Sequence, residues 1–385
     1  MAAPSLLPLL LALTSLLLPA ISASSSSTYF PCSFPAIFNF GDSNSDTGGM
    51  SAAFSTVSEP NGETFFGAPS GRPCDGRLVI DFIAETLGLP FIGAYLDSMG
   101  TNFSHGANFA TAGSTILRQN TTFFQTGYSP FSLDVQVRQF EQFKTRSQLA
   151  YSKGAAYKDL LPPEEYFAKA LYTFDIGQND LTSGYVSNMT TEQVKGTIPI
   201  ILDKFTDAIE SVYGLGGRYF WIHNTGPVGC LPYILARYPL REPEVDPIGC
   251  EAPFNEVAQL FNAKLKETIV QLRKTFPCAM FTYVDVYTVK YWLISQAERL
   301  GFERPFVACC GHGGKYNFDA RYGCGATETV NNTKIIISNT CADPSKRICW
   351  DGYHYTEAAN KWVFDRIVNG AFSDPQIPVA MACRR

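Results

Sequence analysis

The sequence predicts an α/β fold: a three-layer αβα sandwich with a mostly parallel central sheet. Short apolar runs typical of buried strands alternate with longer segments whose apolar residues recur at helical spacing. Strands that are separated by helices join through right-handed crossovers, which produce a parallel sheet covered by helices on both faces. Since the sequence contains neither a long linker nor an internal repeat, we expect a single domain over residues 25–385.

The predicted strands are short apolar runs. The first is Ala36–Phe40, and the segment GANFATAGS, which begins at Gly106, predicts a strand that runs into a loop. Three further strands are predicted at Ala170–Gly177, Tyr219–His223 and Ala279–Val286.

The predicted helices follow from apolar residues that recur on one stripe. One helix begins at Leu78 and ends at Gly88, and a second covers residues 198–212, before a glycine-rich break. Two more are predicted at Phe254–Phe276 and Thr356–Val368.

The N-terminus predicts a secretory signal peptide over residues 1–24. The apolar run near the start of the chain is too short for a membrane-spanning helix, which takes about 20 residues. Small residues follow this run at Ala20, Ser22 and Ser24, as at signal-peptide cleavage sites. We therefore expect the mature protein to be secreted to the extracellular space or cell wall, without a stable membrane anchor.

Sequons and cysteines agree with secretion. Sequons for N-glycosylation occur at Asn102, Asn120, Asn188 and Asn331. The chain has 11 cysteines, many of them crowded between residues 309 and 349, and it contains no Cys-x-x-Cys pair. Disulfides are therefore a better interpretation than a zinc ribbon, with the connectivity open and at least one thiol left unpaired or paired between chains.

The charge pattern argues against other classes of protein. The formal net charge is −5 and no run of Lys or Arg occurs, whereas a nucleic-acid binder or an anionic-membrane binder needs a concentrated basic face. We expect no cofactor and no metal, and we expect a monomer.

Polar groups follow three of the predicted strands. In parallel sheets, ligands bind beyond the carboxyl ends of the strands, near the point where the strand order reverses. Ser43 follows Gly41 and Asp42 after the first strand, Gly113 offers a bare backbone N–H after the second, and Asn179 follows the third. Each of these alone is also typical of an ordinary turn or helix cap.

A late loop supplies an acid and an imidazole. Asp351 and His354 stand three residues apart in WDGYH, so one helical or 3₁₀-like turn brings them to the same side. A carboxylate that holds one imidazole nitrogen leaves the other nitrogen free to act as a base. The remaining histidines, at 105, 223 and 312, have no acid at this spacing immediately upstream and are candidates for structural roles.

Four segments in this order resemble a known family. GDS after the first strand, then NFATAGS, GQND and WDGYH, resemble the GDSL esterases and lipases of the SGNH hydrolase superfamily. The spacing, the secretory start and the CCGHGG segment are similar to the large plant branch, and Asn44 stands where the family motif normally has Leu. The resemblance implies an SGNH, flavodoxin-like fold. The absence of Gly-x-Ser-x-Gly from the sequence argues against the common α/β-hydrolase fold.

The resemblance also implies roles for individual residues. Ser43 is expected as the nucleophile, His354 as the general base and Asp351 as its orienting partner. The oxyanion site is expected from the backbone N–H groups of Ser43 and Gly113 and the side-chain amide of Asn179. An alcohol is a weak nucleophile until a base takes its proton, and each oxyanion donor contributes roughly a hundred- to a thousand-fold in rate.

The other polar residues near Ser43 are interpreted as supports. Asp42, Asn44 and Asp46 are expected to hold the turn or the helix after it. The cysteine-rich segment is expected to hold the late loop against the core.

The expected activity is that of a secreted serine esterase, with acetyl or short acyl esters on cell-wall polysaccharide, such as xylan, as substrates. No amphipathic lid or membrane-binding helix is evident in the sequence, which favours these substrates over lipids. Esters of specialised metabolites or lipids, and acyl transfer by the same site, are alternatives. A glycosidase or a non-catalytic binding protein would leave Ser43 and His354 without a role.

Overall fold

The computed structural model describes residue 1, residues 31–238 and residues 244–384. The chain divides into Met1–Pro31 and a compact unit, Cys32–Arg385. The predicted signal peptide lies, apart from Met1, outside the described residues. No helix in the described ranges is long and apolar enough to cross a membrane.

The first five strands lie close to the predicted positions, and the three that follow them in the chain were not predicted. The strands are β1 (Ile37–Gly41), β2 (Gly106–Asn108), β3 (Leu171–Asp175), β4 (Tyr219–His223), β5 (Met280–Val284), β6 (Thr327–Val330), β7 (Thr333–Ile336) and β8 (Ser373–Asp374). The main sheet has the order β2-β1-β3-β4-β5-β8, in which the first five strands are parallel and β8 is antiparallel to β5. The prediction of a mostly parallel sheet is therefore confirmed. The order reverses between β1 and β3, where a ligand crevice is expected.

Helices flank the sheet. They are α1 (Gly49–Ala53), α2 (Val79–Thr86), α3 (Phe123–Thr126), α4 (Leu133–Lys153), α5 (Ala155–Lys158), α6 (Glu164–Phe167), α7 (Gln178–Val186), α8 (Thr191–Gly214), α9 (Pro232–Arg237), α10 (Ala252–Thr275), α11 (Val286–Ser295) and α12 (Glu357–Ile367). One group consists of α4, α8 and α10, which pack side by side, and another of α2, α12 and α11. These groups form the outer layers of the predicted sandwich.

The core beneath α4 is aromatic. The ring of Phe38 on β1 stacks on Phe167 with centroids 5.1 Å apart, and Phe40 stacks on Phe174 of β3 at 4.9 Å. Phe140 of α4 packs against both Phe38 and Phe40. Buried aromatic pairs of this kind stabilise a core beyond the area that they bury, and they fix β1, which leads into the turn at Ser43.

Disulfides form as the sequence predicts, and the structure supplies the connectivity. The four pairs are Cys32–Cys383, Cys230–Cys250, Cys309–Cys341 and Cys310–Cys324. The free thiols are those of Cys74, Cys278 and Cys349.

Candidate active site

The turn at Ser43 begins where β1 ends. A Cβ added to Gly41 would lie 2.6 Å from the carbonyl oxygen of Asp175 on β3, so a larger residue does not fit there. The Gln136 side chain of α4, which is fully buried, accepts from the Gly41 N–H at 2.9 Å and donates to the Gly41 carbonyl at 2.8 Å. These contacts fix the turn that presents Ser43, which is 6% exposed.

The acidic residues beside Ser43 act as supports, as the sequence indicates. Asp42 Oδ1 accepts from the backbone N–H and the side-chain amide of Asn44, both at 2.9 Å. The Asp46 carboxylate accepts from backbone N–H groups at the start of α1 and from the Ala112 N–H at 2.7 Å. Asp46 therefore ties the segment after β1 to the segment after β2.

Gly113 lies directly after Ala112, in a conformation that requires glycine. Its φ is +80°, and an added Cβ would lie 2.3 Å from the carbonyl oxygen of Gly127. The Gly113 carbonyl accepts from the Ser129 N–H at 2.8 Å. Within the described ranges, neither the Gly113 N–H nor the Ser43 N–H donates to a protein acceptor. Such N–H groups are rare away from solvent, and these two are available to a ligand oxygen.

The third segment, at the start of α7, is joined to the second by two side chains. Asn179 Nδ2 donates to the Ser114 carbonyl at 2.9 Å, which leaves its second amide hydrogen for another acceptor. The buried Asp180 carboxylate accepts from the N–H groups of Ile116 and Leu117 at 2.8 and 2.9 Å. The contribution of Asp180 was not predicted, because its partners are more than sixty residues away in the sequence.

The late loop forms the predicted acid–imidazole pair. Asp351 Oδ2 lies 2.6 Å from His354 Nδ1, and Oδ1 accepts from the backbone N–H groups of Tyr353 and His354 at 2.9 Å. Because a carboxylate can only accept, Nδ1 carries the hydrogen and Nε2 is left as the basic nitrogen. The side chains of Asp351 and His354 are each 15% exposed, so solvent reaches the pair.

Acidic residues on both sides of Ser43 in the sequence influence the pKa of His354. Burial by itself lowers the pKa of His354, but the charge and hydrogen bond of Asp351 and the charges of Asp42 and Asp46 raise it above its ordinary value of 6.5. These last two groups flank Ser43. Ser43 Oγ and His354 Nε2 form no hydrogen bond with each other or with any other described residue. In unliganded sites such bonds are often long and tighten when substrate binds.

The cysteine-rich segment holds the late loop, as predicted. The backbone N–H groups of Cys309 and Cys310 donate to the carbonyls of Cys349 and Trp350 at 2.9 and 2.6 Å. Both donors belong to disulfides. The Trp350 N–H in turn donates to the His354 carbonyl at 2.7 Å.

A second acid–imidazole pair lies at the carboxyl ends of β3 and β4. His223 Nδ1 lies 3.0 Å from Asp175 Oδ2, and its Nε2 accepts from the indole N–H of Trp221 at 3.1 Å. Both ring nitrogens are therefore occupied, which excludes His223 as a base. Burial by itself raises the pKa of Asp175, but the hydrogen bond and charge of His223 lower it overall. Asp175 is thus an anion, and its charge raises the pKa of Asp42.

The other two histidines lie away from the crevice. His105 Nδ1 contacts the Pro35 carbonyl at 2.9 Å, beside the first residue of β1 and therefore at the opposite edge of the sheet from Ser43. His312 Nδ1 contacts the Ile337 carbonyl at 2.9 Å. His105 thus contacts the backbone just before β1.

Exposed aromatic side chains occur near two of the segments that contain the predicted site residues. Next to His354, the ring of Tyr353 is 38% exposed and stacks on Tyr233 with centroids 4.5 Å apart. On the side of Gly113, Phe123 stacks on Phe54 at 5.0 Å and contacts Phe124, which is 78% exposed.

Among the described residues, one group has the spacing of metal ligands. Cys230, Asp246 and Cys250 bring potential ligand atoms within 4.8 Å of one another. The two sulfurs are joined in a disulfide, so neither is a thiolate, the form in which cysteine binds metals.

The predicted glycosylation sites, Asn102, Asn120, Asn188 and Asn331, are all exposed. They have the accessibility that glycosylation requires, and their occupancy stays a prediction.

Comparisons with known proteins agree with this architecture. A family model described as GDSL-like Lipase/Acylhydrolase matches residues 37–367. The GDSL esterase/lipase ACHE of Zea mays is 61% identical over 354 residues, which cover 91% of this chain and 89% of that protein. Alpha-L-fucosidase 3 of Arabidopsis thaliana is 54% identical over 369 residues (96% and 97%), and an esterase of Hevea brasiliensis is 55% identical over 355 residues (92% and 90%). Since the matched region runs from β1 through the late loop and contains all four segments that form the crevice, the chain belongs to the GDSL-like lipase/acylhydrolase family.

Proposed function

We propose that the protein is a secreted serine esterase that hydrolyses carboxylic esters through an acyl-enzyme. The observation that carries the proposal is the carboxylate-bound imidazole of His354, whose Nδ1 lies 2.6 Å from Asp351 Oδ2 and whose Nε2 is left as a base. In the first half-reaction, His354 Nε2 takes the proton of Ser43 Oγ while this oxygen attacks the ester carbonyl. The imidazolium then gives the proton to the leaving alcohol, and Asp351 stabilises its charge. In the second half-reaction, water attacks the acyl-enzyme through the same proton transfers, and the carboxylic acid is released.

The donors around the crevice suit the tetrahedral intermediate. The N–H groups of Ser43 and Gly113, which have no acceptor among the described residues, and the second amide hydrogen of Asn179 supply three donors. Donors held in place in this way stabilise the oxyanion without reorganisation, which is commonly the largest contribution to catalysis.

Replacing the proposed nucleophile tests the mechanism. Ser43→Ala should abolish hydrolysis of p-nitrophenyl acetate and labelling by a fluorophosphonate, while the circular dichroism spectrum stays that of the wild type. Ser55→Ala is the matched control, because it changes an exposed serine twelve residues further along the chain. Activity in the Ser43→Ala protein would defeat the assignment, and failure of the wild type to react with the fluorophosphonate would favour a binding protein.

For the substrate we propose acetyl or other short acyl esters on cell-wall polysaccharide. Exposed sequons and four disulfides suit an extracellular protein, and the exposed face of Tyr353 beside His354 suits a sugar ring. Acid release from acetylated xylan, acetylated pectin and a triglyceride distinguishes the substrate classes. Activity on long-chain acyl esters alone would overturn the proposal.

A second candidate is an esterase for larger apolar esters. The exposed ring of Phe124 and its contact with Phe123 provide an apolar surface on the Gly113 side. A series of p-nitrophenyl esters from acetate to palmitate measures this preference directly. Adding an alcohol or sugar acceptor to the same assay separates hydrolysis from acyl transfer, which uses the same site.

The name of the Arabidopsis thaliana relative, alpha-L-fucosidase 3, raises the question of a glycosidase activity. Glycosidases use a pair of carboxylates that flank the scissile bond. In the crevice, the carboxylates of Asp42 and Asp46 are instead buried and hold backbone groups. Cleavage of p-nitrophenyl α-L-fucoside by both the wild type and Ser43→Ala would establish this activity at a different set of residues.

A further inference from the structure

The side chain of a buried arginine in the cysteine-rich part of the fold has no hydrogen-bond partner among the described residues. Arg347 is 9% exposed, and its Nη1 is buried without a hydrogen-bond acceptor. Its guanidinium forms no hydrogen bond or ion pair with any residue in the described ranges. A guanidinium carries five N–H donors, and a buried charge normally has a counter-charge because its desolvation is otherwise too unfavourable.

The surroundings of Arg347 are positive. Burial and the nearby charge of Arg304 lower the pKa of Arg347, and the charge of Glu303 acts in the opposite direction. Glu303 is already paired with Lys346, at 3.7 Å. The guanidinium groups of Arg347 and Arg304 are thus close to each other, and the nearby carboxylate of Glu303 is already paired.

Both arginines line a cavity of about 420 Å³. Its wall includes the glycine-rich turn at Gly313 and Gly314, whose φ values are +71° and +66°, and the ring of His312. The described residues that line the cavity include no Asp or Glu. Small-molecule sites usually have volumes of a few hundred Å³ or more, so the cavity has room for a group larger than a single ion.

We propose that this cavity binds an oxyanion, namely a carboxylate, phosphate or sulfate group, through the guanidinium groups of Arg347 and Arg304. The planar fork of arginine matches carboxylate and phosphate oxygens in a bidentate arrangement. The site is separate from the proposed catalytic crevice, since Ser43, Asp351 and His354 do not line it.

The cavity is nevertheless joined to the late loop through the backbone. The Arg347 carbonyl accepts from Thr356 Oγ1 at 2.6 Å, and the Ile348 carbonyl accepts from the Thr356 N–H at 2.9 Å. An anion at Arg347 therefore binds to the same segment that holds His354, and it should stabilise the folded state through that segment.

Thermal unfolding of the full protein tests the proposal without an activity assay. Sodium phosphate, sodium sulfate and sodium galacturonate are titrated, with sodium chloride at matched ionic strength and neutral galactose as references. A ligand that binds only the folded state raises Tm in a saturable way. We expect a saturable rise with at least one oxyanion beyond that with chloride. A rise in Tm with phosphate or sulfate but not with galacturonate would indicate an inorganic or phosphorylated ligand. A rise with galacturonate but not with galactose would indicate a sugar acid.

Substitutions assign the effect to the cavity. Arg347→Gln should weaken the apparent Kd by roughly tenfold or more, as expected for loss of charge-assisted hydrogen bonds. Because the Arg347 guanidinium has no partner among the described residues, this variant should fold. Arg304→Gln, at an exposed position, should also weaken binding and serves if the first variant does not fold. Arg299→Gln, at an exposed position outside the cavity, should leave Kd unchanged.

Two results would overturn the proposal. One is a wild-type protein whose Tm responds to all three oxyanions only as it does to chloride. The other is an unchanged Kd in the arginine variants of the cavity.

Discussion

Asp351 holds both the ring and the backbone of His354: Oδ2 lies 2.6 Å from Nδ1 and Oδ1 lies 2.9 Å from the backbone nitrogen. One carboxylate thus sets the position of the residue and the tautomer of its imidazole. The raised pKa of His354 follows in part from the same contact.

Asp351→Asn should separate these two effects. The asparagine oxygen retains the backbone contacts, whereas its amide group faces Nδ1 and favours the wrong tautomer. We expect kcat for p-nitrophenyl acetate to fall by about 10⁴-fold, as for the corresponding change in serine proteases, with Tm nearly unchanged. A decrease of less than tenfold would contradict the assigned role of Asp351.

The pH dependence of the wild type gives an independent check. A general base must be neutral, so activity falls as the pH drops through the pKa of His354. Because that pKa is raised above 6.5, the acid limb of kcat/KM should lie above pH 6.5. Asp351→Asn removes the main contributions that raise it, so the limb of the residual activity should move to lower pH. If the acid limb of the Asp351→Asn profile stays at the wild-type pH, the limb reports the titration of a group other than His354.

Asn179→Ala should reduce kcat with little change in KM. The side-chain amide is proposed to act on the developing oxyanion, and loss of one such donor lowers kcat by about 10²- to 10³-fold. Gln178→Ala, at the preceding position of α7, is the matched control and should retain wild-type kcat. Equal effects of the two variants would indicate a disturbance of the helix rather than loss of a donor.

The parts of the fold that were predictable are those with local sequence signals. The strand Ala36–Phe40 and the helix after Thr356 are continuous patterns, and the four segments at the strand ends contain short polar motifs within a few residues. The pair Asp351 and His354 is local as well, because one turn brings it together.

The parts that were missed depend on contacts between distant residues. Helix α4 was not predicted, since two of its six buried side chains, Gln136 and Ser147, are polar and interrupt the apolar stripe. The Asp175–His223 pair joins residues 48 positions apart on neighbouring strands. Disulfide connectivity likewise requires the folded positions of the cysteines, because spacing alone allows many pairings.

Gln136 provides a test of one such contact. Gln136→Ala leaves the buried N–H of Gly41 without its partner, and an unsatisfied group of this kind costs about 1–3 kcal/mol. The Gly41 carbonyl loses the Gln136 donor but keeps the Thr111 N–H at 3.3 Å. We expect the urea-derived free energy of unfolding to fall accordingly, together with a loss of activity as the Ser43 turn loosens. Gln142→Ala, on the exposed face of the same helix, should change stability by less than about 0.5 kcal/mol. Similar values for the two variants would refute the role of Gln136.

Asp42 should make the folded state sensitive to pH. Its side chain is fully buried, and Oδ2 has no hydrogen-bond partner among the described residues. Burial and the charge of Asp175 raise its pKa from 3.8 to about 7. The folded protein therefore binds this proton more tightly than the unfolded chain does, so the stability contributed by Asp42 is present below pH 3.8 and is lost as the pH rises toward 7.

Asp42→Asn should remove this dependence. The asparagine oxygen retains the contacts with Asn44, and its amide takes the place of the unpaired oxygen without a charge. We expect the free energy of unfolding to decrease less between pH 4 and pH 8 than in the wild type, with the variant at least as stable at pH 8. Some dependence should persist, because burial also raises the pKa of Asp46 and Asp180. Asp203→Asn, at an exposed carboxyl, should follow the wild type. If Asp42→Asn follows it too, the Asp42 carboxyl does not hold its proton in the folded state, and the electrostatic argument for this part of the crevice fails.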